Sequence, residues 1–127
     1  MTVEQILNEK GWISHTLPPE TPLRVFAALL VEKNIGAMIC TDASGGIIGI
    51  MSERDLARAV GRFADRALDM SVSDIMTRDV VACSVTDSVD DLLTIMLETR
   101  CRHLPVVQEG RLIGMISIGD LVKAKLG

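Results

Sequence analysis

A mixed α/β fold made of two copies of one unit is predicted by three features of this 127-residue chain. First, Gly49-Ile50-Met51-Ser52-Glu53-Arg54-Asp55-Leu56 recurs as Gly114-Met115-Ile116-Ser117-Ile118-Gly119-Asp120-Leu121, with Gly, Ser, Asp and Leu each displaced by 65 positions. A period this long marks two copies of a folding unit, not a short-period solenoid. Second, hydrophobic residues make up 48% of the chain, enough for a packed core and too many for disorder. Third, apolar stripes at helical spacing alternate with short apolar runs broken by Gly-containing turns, the pattern of helices alternating with hairpins.

Each half reads short helix, strand, long helix, hairpin, helix. Val3-Glu4-Gln5-Ile6-Leu7 matches Val72-Ser73-Asp74-Ile75-Met76 loosely as the short helix, and a strand is expected after each, near 13–17 and 80–85. In 21–35, apolar residues at 23, 26, 27, 29, 30 and 31 form a helical stripe, with Thr21 as N-cap and Pro22 at the first helical position. Its counterpart, 87–101, is apolar at 89, 92, 93, 95, 96 and 97, displaced by 66, with Asp87 or Ser88 as cap. The runs 37–40 and 104–107 then meet the turns 42–46 and 108–111, the first one residue longer, which converts the displacement from 66 to 65. The runs 47–51 and 112–116 complete a β-hairpin in each half. Closing helices are expected over 53–60 and 118–126, dividing the chain into a first repeat, 1–62, a connector, 63–71, and a second repeat, 72–127.

Composition narrows the function. Aromatic residues are only 2% (Trp12, Phe26 and Phe63), which leaves no stacking platform for single-stranded nucleic acid. The 13 basic against 17 acidic residues give a net charge of −4 with no basic stripe standing out, which argues against DNA or RNA. No apolar run has the length of a membrane span, and the first residues carry no signal-peptide features. Cys40, Cys83 and Cys101 are odd in number, far apart and set in apolar segments, so buried inert thiols in a reduced, cytoplasmic compartment are expected. Nothing spaced as a metal site, nucleophile–base pair, Walker loop or Gly-x-Gly-x-x-Gly motif is visible; an enzyme is not expected, nor a requirement for metal. The methionines at 38, 51, 70, 76, 96 and 115 fall largely on core positions, where Met serves as flexible filling.

The repeated segment has two readings. Ser52-x-x-Asp55 and Ser117-x-x-Asp120 are variants of the capping box, in which Ser caps a helix and the acid three residues on reaches back to the cap. The functional reading adds that a Gly three residues before each Ser marks a close approach to the strand. A helix start offers free N–H groups and a positive dipole to phosphate. A neighbouring carboxylate can take up a ribose diol. Phosphate donor, ribose acceptor and flat apolar strand together suit a nucleotide.

These segments, with Arg102-His103-Leu104-Pro105-Val106-Val107 and Val72-x-Asp74-Ile75-Met76, resemble a tandem pair of CBS domains, or Bateman module, over roughly residues 3–126. The resemblance implies an α/β module of two pseudo-twofold-related repeats with clefts between them, binding AMP, ADP or ATP. The alternatives are NAD(H) or S-adenosylmethionine, or a structural module with vestigial sites. It also implies a regulatory role exerted on a separate protein and a homodimer. Carried over by motif, Asp55 and Asp120 would hold ribose hydroxyls, Ser52 and Ser117 would contact ribose or phosphate, and Gly36, Ala37, Met38, Ile39, Arg102, His103, Leu104 and Pro105 would line the purine. The copies differ: Arg54, a ready phosphate ligand, stands where the second has Gly119, and Gly36-Ala37 stands where the second has Arg102-His103.

Overall fold

A computed structural model describes all of residues 1–127. The chain order is α1 (Val3–Lys10), β1 (Thr16–Leu17), α2 (Leu23–Lys33), β2 (Ala37–Thr41), β3 (Ile47–Ser52), α3 (Glu53–Phe63), a 3₁₀ segment (Ala64–Asp69), α4 (Val72–Ile75), α5 (Val89–Thr99), β4 (His103–Gln108), β5 (Arg111–Ser117) and α6 (Ile118–Leu126). The α/β repeat architecture is as the sequence predicts. No helix is long and apolar enough to cross a membrane.

The chain forms two compact units, and they are not cut where the repeats are cut. One unit is Met1–Ser14 together with Val81–Gly127; the other is His15–Val80. The short helix of each repeat has gone to the body of the other. Thr2 bridges Ser88, Val3 N–H donates to the Asp87 carbonyl and Glu4 N–H to the Val85 carbonyl. In the other unit Ser71, just ahead of α4, bridges Pro22. Burial drives the exchange: Val3, Ile6 and Leu7 lie in one core with Leu92, Met96, Leu104, Val106, Ile116 and Leu121. Val72 and Met76 lie in the other, with Leu17, Leu23, Phe26, Met38, Cys40 and Met51. The sequence division at 62 and 72 describes the repeat; the compact units describe the packing.

In His15–Val80 the sheet order is β1-β2-β3, with β1 parallel to β2; in the other unit only β4 and β5 pair as strands. The strand expected near 80–85 is reduced to a single parallel bridge between Cys83 and Val106. Proline explains this. Ile39 N–H donates to the His15 carbonyl at 3.0 Å, extending the ladder of β1. The residue 66 positions on is Pro105, which has no N–H to offer the Val81 carbonyl.

Both hairpins carry a register shift at the same place, after Cys40 and after Val106. The first turn is held by the Asp42 carboxylate, which accepts from Ser44 N–H, the Ser44 hydroxyl and Gly46 N–H. The second is Glu109-Gly110, both at positive φ (51° and 76°), as a two-residue type I′ turn requires. Thr21 does not cap α2, since its hydroxyl donates to the Pro18 carbonyl and Pro22 is the cap residue. Ser88 caps α5 by accepting from Asp91 N–H. Helix α3 runs to Phe63, three residues beyond expectation, and most of the expected connector is the 3₁₀ segment. Cys40 and Cys83 are buried, Cys101 is half-buried, and all three are free thiols. Burial, reinforced by the Asp87 carboxylate, pushes the Cys83 thiol up to about 12, so it stays protonated and inert.

Candidate functional site

The strand–helix junction is built alike in both units. At the end of β3, Asp55 N–H donates to the Ser52 hydroxyl at 3.2 Å, while Asp55 Oδ2 accepts Ser52 N–H at 2.9 Å and the Ser52 hydroxyl at 3.0 Å. At the end of β5, Asp120 N–H donates to the Ser117 hydroxyl at 3.1 Å and Asp120 Oδ2 accepts Ser117 N–H at 2.9 Å. Ser-x-x-Asp is thus a reciprocal cap in each copy. The following N–H groups are also engaged, Glu53 N–H with the Gly36 carbonyl at 2.9 Å and Ile118 N–H with the Arg102 carbonyl at 2.8 Å. An α-helix starts with four N–H groups that lack intrahelical partners. Here the fold uses three, leaving those of Arg54 and Gly119. The helix starts therefore offer a phosphate less than the free N–H groups expected from the sequence.

What the cap leaves open is the other carboxylate oxygen. Both aspartates spend Oδ2 on the cap, and Oδ1 accepts no hydrogen bond in either. Both side chains are half-buried, which strengthens any hydrogen bond made there.

The ladder register places the remaining residues. Ala37 lies opposite Ser52 and Ile39 opposite Ile50; His103 lies opposite Ser117 and Pro105 opposite Met115. Residues directly opposite share a face, so Ala37, Ile39 and Ile50 flank Ser52 in one unit, and His103, Pro105 and Met115 flank Ser117 in the other. Met38 and Leu104 point the opposite way, into the cores of their units. Their expected place lining a purine is corrected by the two-residue period of the strand. Gly36 is half-buried and Arg102 exposed, each joined to its site through its backbone carbonyl. Ile50 and Met115 share the site face although spacing did not single them out; the hairpin register is the signal that finds them.

The glycines of the motif have a structural reason. A Cβ on Gly49 would lie 2.4 Å from Met76 Sδ, and one on Gly114 would lie 3.0 Å from Leu7 Cδ1. The close approach to the strand is made by the short helix of the unit and not by a ligand.

Charge distinguishes the copies. Arg54 is half-buried and pairs with no carboxylate. Lys10, from the last turn of α1, reaches the second junction, where Nζ donates to Asp120 Oδ2 at 2.7 Å and to the Met115 carbonyl at 3.0 Å. Burial pushes the Asp120 carboxyl up, but the hydrogen bonds from Lys10 and Ser117 outweigh it and hold the group below the usual carboxylate range. Lys10 and Asp120 are 110 residues apart, and no spacing signal connects them. Helix α3 also carries Arg54, Arg58 and Arg62 at successive four-residue steps, and Arg62 and Arg66 lie over the Phe63 ring at 5.6 and 5.8 Å. This basic stripe is masked in the sequence by the interleaved Glu53, Asp55 and Asp65.

The CBS domain family matches residues 13–62 and 72–127. The chain belongs to the CBS domain family. A CBS-domain containing protein from Agrobacterium tumefaciens is 43% identical, with a TM-score of 0.95 over 98% of this chain and 92% of that one. A protein with CBS domains from Burkholderia ambifaria is 40% identical, with a TM-score of 0.94 over 99% of this chain and 94% of that one. The structure of CBSX2 in complex with AMP is 27% identical, with a TM-score of 0.76 over 98% of this chain and 96% of that one. Among curated proteins, an uncharacterised 17.7 kDa protein of Acidianus ambivalens is 34% identical over 98% of this chain and 73% of its own length. The chain spans only 32% of a 33.4 kDa protein of Thermofilum pendens and 21% of the inosine-5′-monophosphate dehydrogenase of Thermoplasma acidophilum.

Proposed function

We propose that this CBS pair is a regulatory module that binds an adenine nucleotide, of AMP type, and passes the binding on as a change of conformation read by a separate protein. The observation that carries this is the uncommitted Oδ1 of Asp55 and of Asp120. Each is an ionisable, half-buried acceptor held rigid by its own cap, suited to a ribose hydroxyl. Around it, the half-buried Ile50 in one unit, and His103 and Met115 in the other, would meet the base, on strand faces shared with the buried Ala37, Ile39 and Pro105. Gly36 and Arg102 would border it, Ser52 and Ser117 would meet ribose or phosphate, and Arg54 is the phosphate ligand of the first site. The AMP complex of CBSX2, alike over nearly the whole chain, supports the ligand class. The site needs no metal, and signalling needs only that the ligand prefer one of two states.

Self-association is part of the proposal. Val31 of α2 and Leu97 of α5, at equivalent repeat positions, are 83% and 74% exposed, and apolar side chains so placed suit pairing with a second copy.

Calorimetric titration with AMP, ADP, ATP, NAD and S-adenosylmethionine tests the reading. AMP or a close relative is expected to bind, and Asp55→Ala to weaken its own site by about 10- to 150-fold, the loss of a charged hydrogen bond worth about 1.5–3 kcal/mol. A folded protein that binds none of the five is a structural CBS module, and the proposal fails.

A further inference from the structure

We propose that Lys10 is the anion ligand of the Ser117–Asp120 site, supplying from α1 the cation that Arg54 supplies to the other site and that Gly119 withholds. This rests on the nucleotide reading above and adds which side chain would meet the phosphate in the second copy.

Four observations carry it. Lys10 Nζ donates to Asp120 Oδ2 at 2.7 Å and to the Met115 carbonyl at 3.0 Å, so two of its three N–H groups are engaged and one is free. The two side chains keep 36% and 23% of their surface exposed, so an incoming anion can reach the ammonium. The lysine uses Oδ2 and leaves Oδ1 open, so ribose on Asp120 and phosphate on Lys10 do not compete for one atom. Finally, the aligned position in the other repeat is Asp79, so no lysine arrives there; instead Arg54 stands at the second position of its own helix. Each site holds one cation, delivered by different routes. The position of Lys10 is fixed because α1 is anchored by Val3, Ile6 and Leu7 in the core of this unit.

The experiment uses the full chain carrying Asp55→Ala, so that the Ser117–Asp120 site is read alone. AMP and adenosine are titrated into it with and without Lys10→Met, and folding is checked by thermal melting. Lys10→Met is expected to weaken AMP about tenfold or more, the scale of one charge-assisted hydrogen bond, and to leave adenosine within about twofold. Lys10→Arg is expected to restore most of the AMP affinity. Equal losses for AMP and adenosine would reduce Lys10 to a residue that positions Asp120, and tighter AMP binding would make it a competitor; either overturns the proposal. If the unsubstituted protein binds AMP and the Asp55→Ala parent does not, the Lys10 proposal alone fails. If neither binds, the nucleotide reading fails with it.

Discussion

Gly49 shows how one residue can be read correctly for its geometry and wrongly for its cause. A glycine inside an apolar strand signals close approach, and the approach is real, but Met76, the residue that ends α4, makes it. The contact joins residues far apart in sequence, so no local pattern reveals it. Gly49→Ala is expected to destabilise the protein by about 1–3 kcal/mol, because the new methyl would lie 2.4 Å from Met76 Sδ and 2.8 Å from its Cγ, so the buried side chain has to move. Gly114→Ala is expected to cost less, since Leu7 presents methyl tips at 3.0 and 3.1 Å that can yield by tenths of an ångström. Urea denaturation of the two variants reads the difference; equal costs would contradict this account. The Ser-x-x-Asp cap was legible because it is local, spanning three residues at both 52–55 and 117–120. The Lys10–Asp120 ion pair was not, because only the packing of α1 brings it about.

At the scale of elements, the helices and hairpins follow from local chemistry. The stripe of α2 and its repeat in α5, the Glu109-Gly110 turn and the Ser88 cap were all present in the sequence as periodicity, turn residues and capping residues. The missing strand near Cys83 was not, although its cause, Pro105, stands in the sequence. Reading it needed the ladder register, which shows that a bond made by Ile39 has no counterpart. The passage from α3 to the 3₁₀ segment holds a second local conflict. Ala64 sits at φ 52° and ψ −131°, a conformation open to glycine and costly to a residue with a Cβ. Ala64→Gly is expected to stabilise the protein by about 1 kcal/mol, since strain of about 1–3 kcal/mol is relieved against a glycine entropy cost of about 0.5–1 kcal/mol. A lowered melting temperature would contradict that.

For the whole molecule, the repeat and the compact unit are different divisions of one chain. Sequence self-similarity reports the repeat; it carries no record of which body the short helix joins. Because Val3, Ile6 and Leu7 are buried with residues of 83–121, a chain lacking residues 1–14 is expected to lose core contributions of about 1.5–3 kcal/mol per side chain. Hydrogen exchange should show Val81–Gly127 losing protection far more than His15–Val80. Loss confined to His15–Val80 would contradict the packing described. Both proposed sites are junctions of the same design, one in each unit, each with a carboxylate oxygen left over from its cap. The most direct test is calorimetric titration of AMP into the unsubstituted protein and into the Asp55→Ala/Asp120→Ala double variant, with folding verified for both. Binding by the former and its weakening by at least about tenfold at each site in the latter are expected; unchanged AMP affinity in a folded double variant would rule out Asp55 and Asp120 as the ribose ligands.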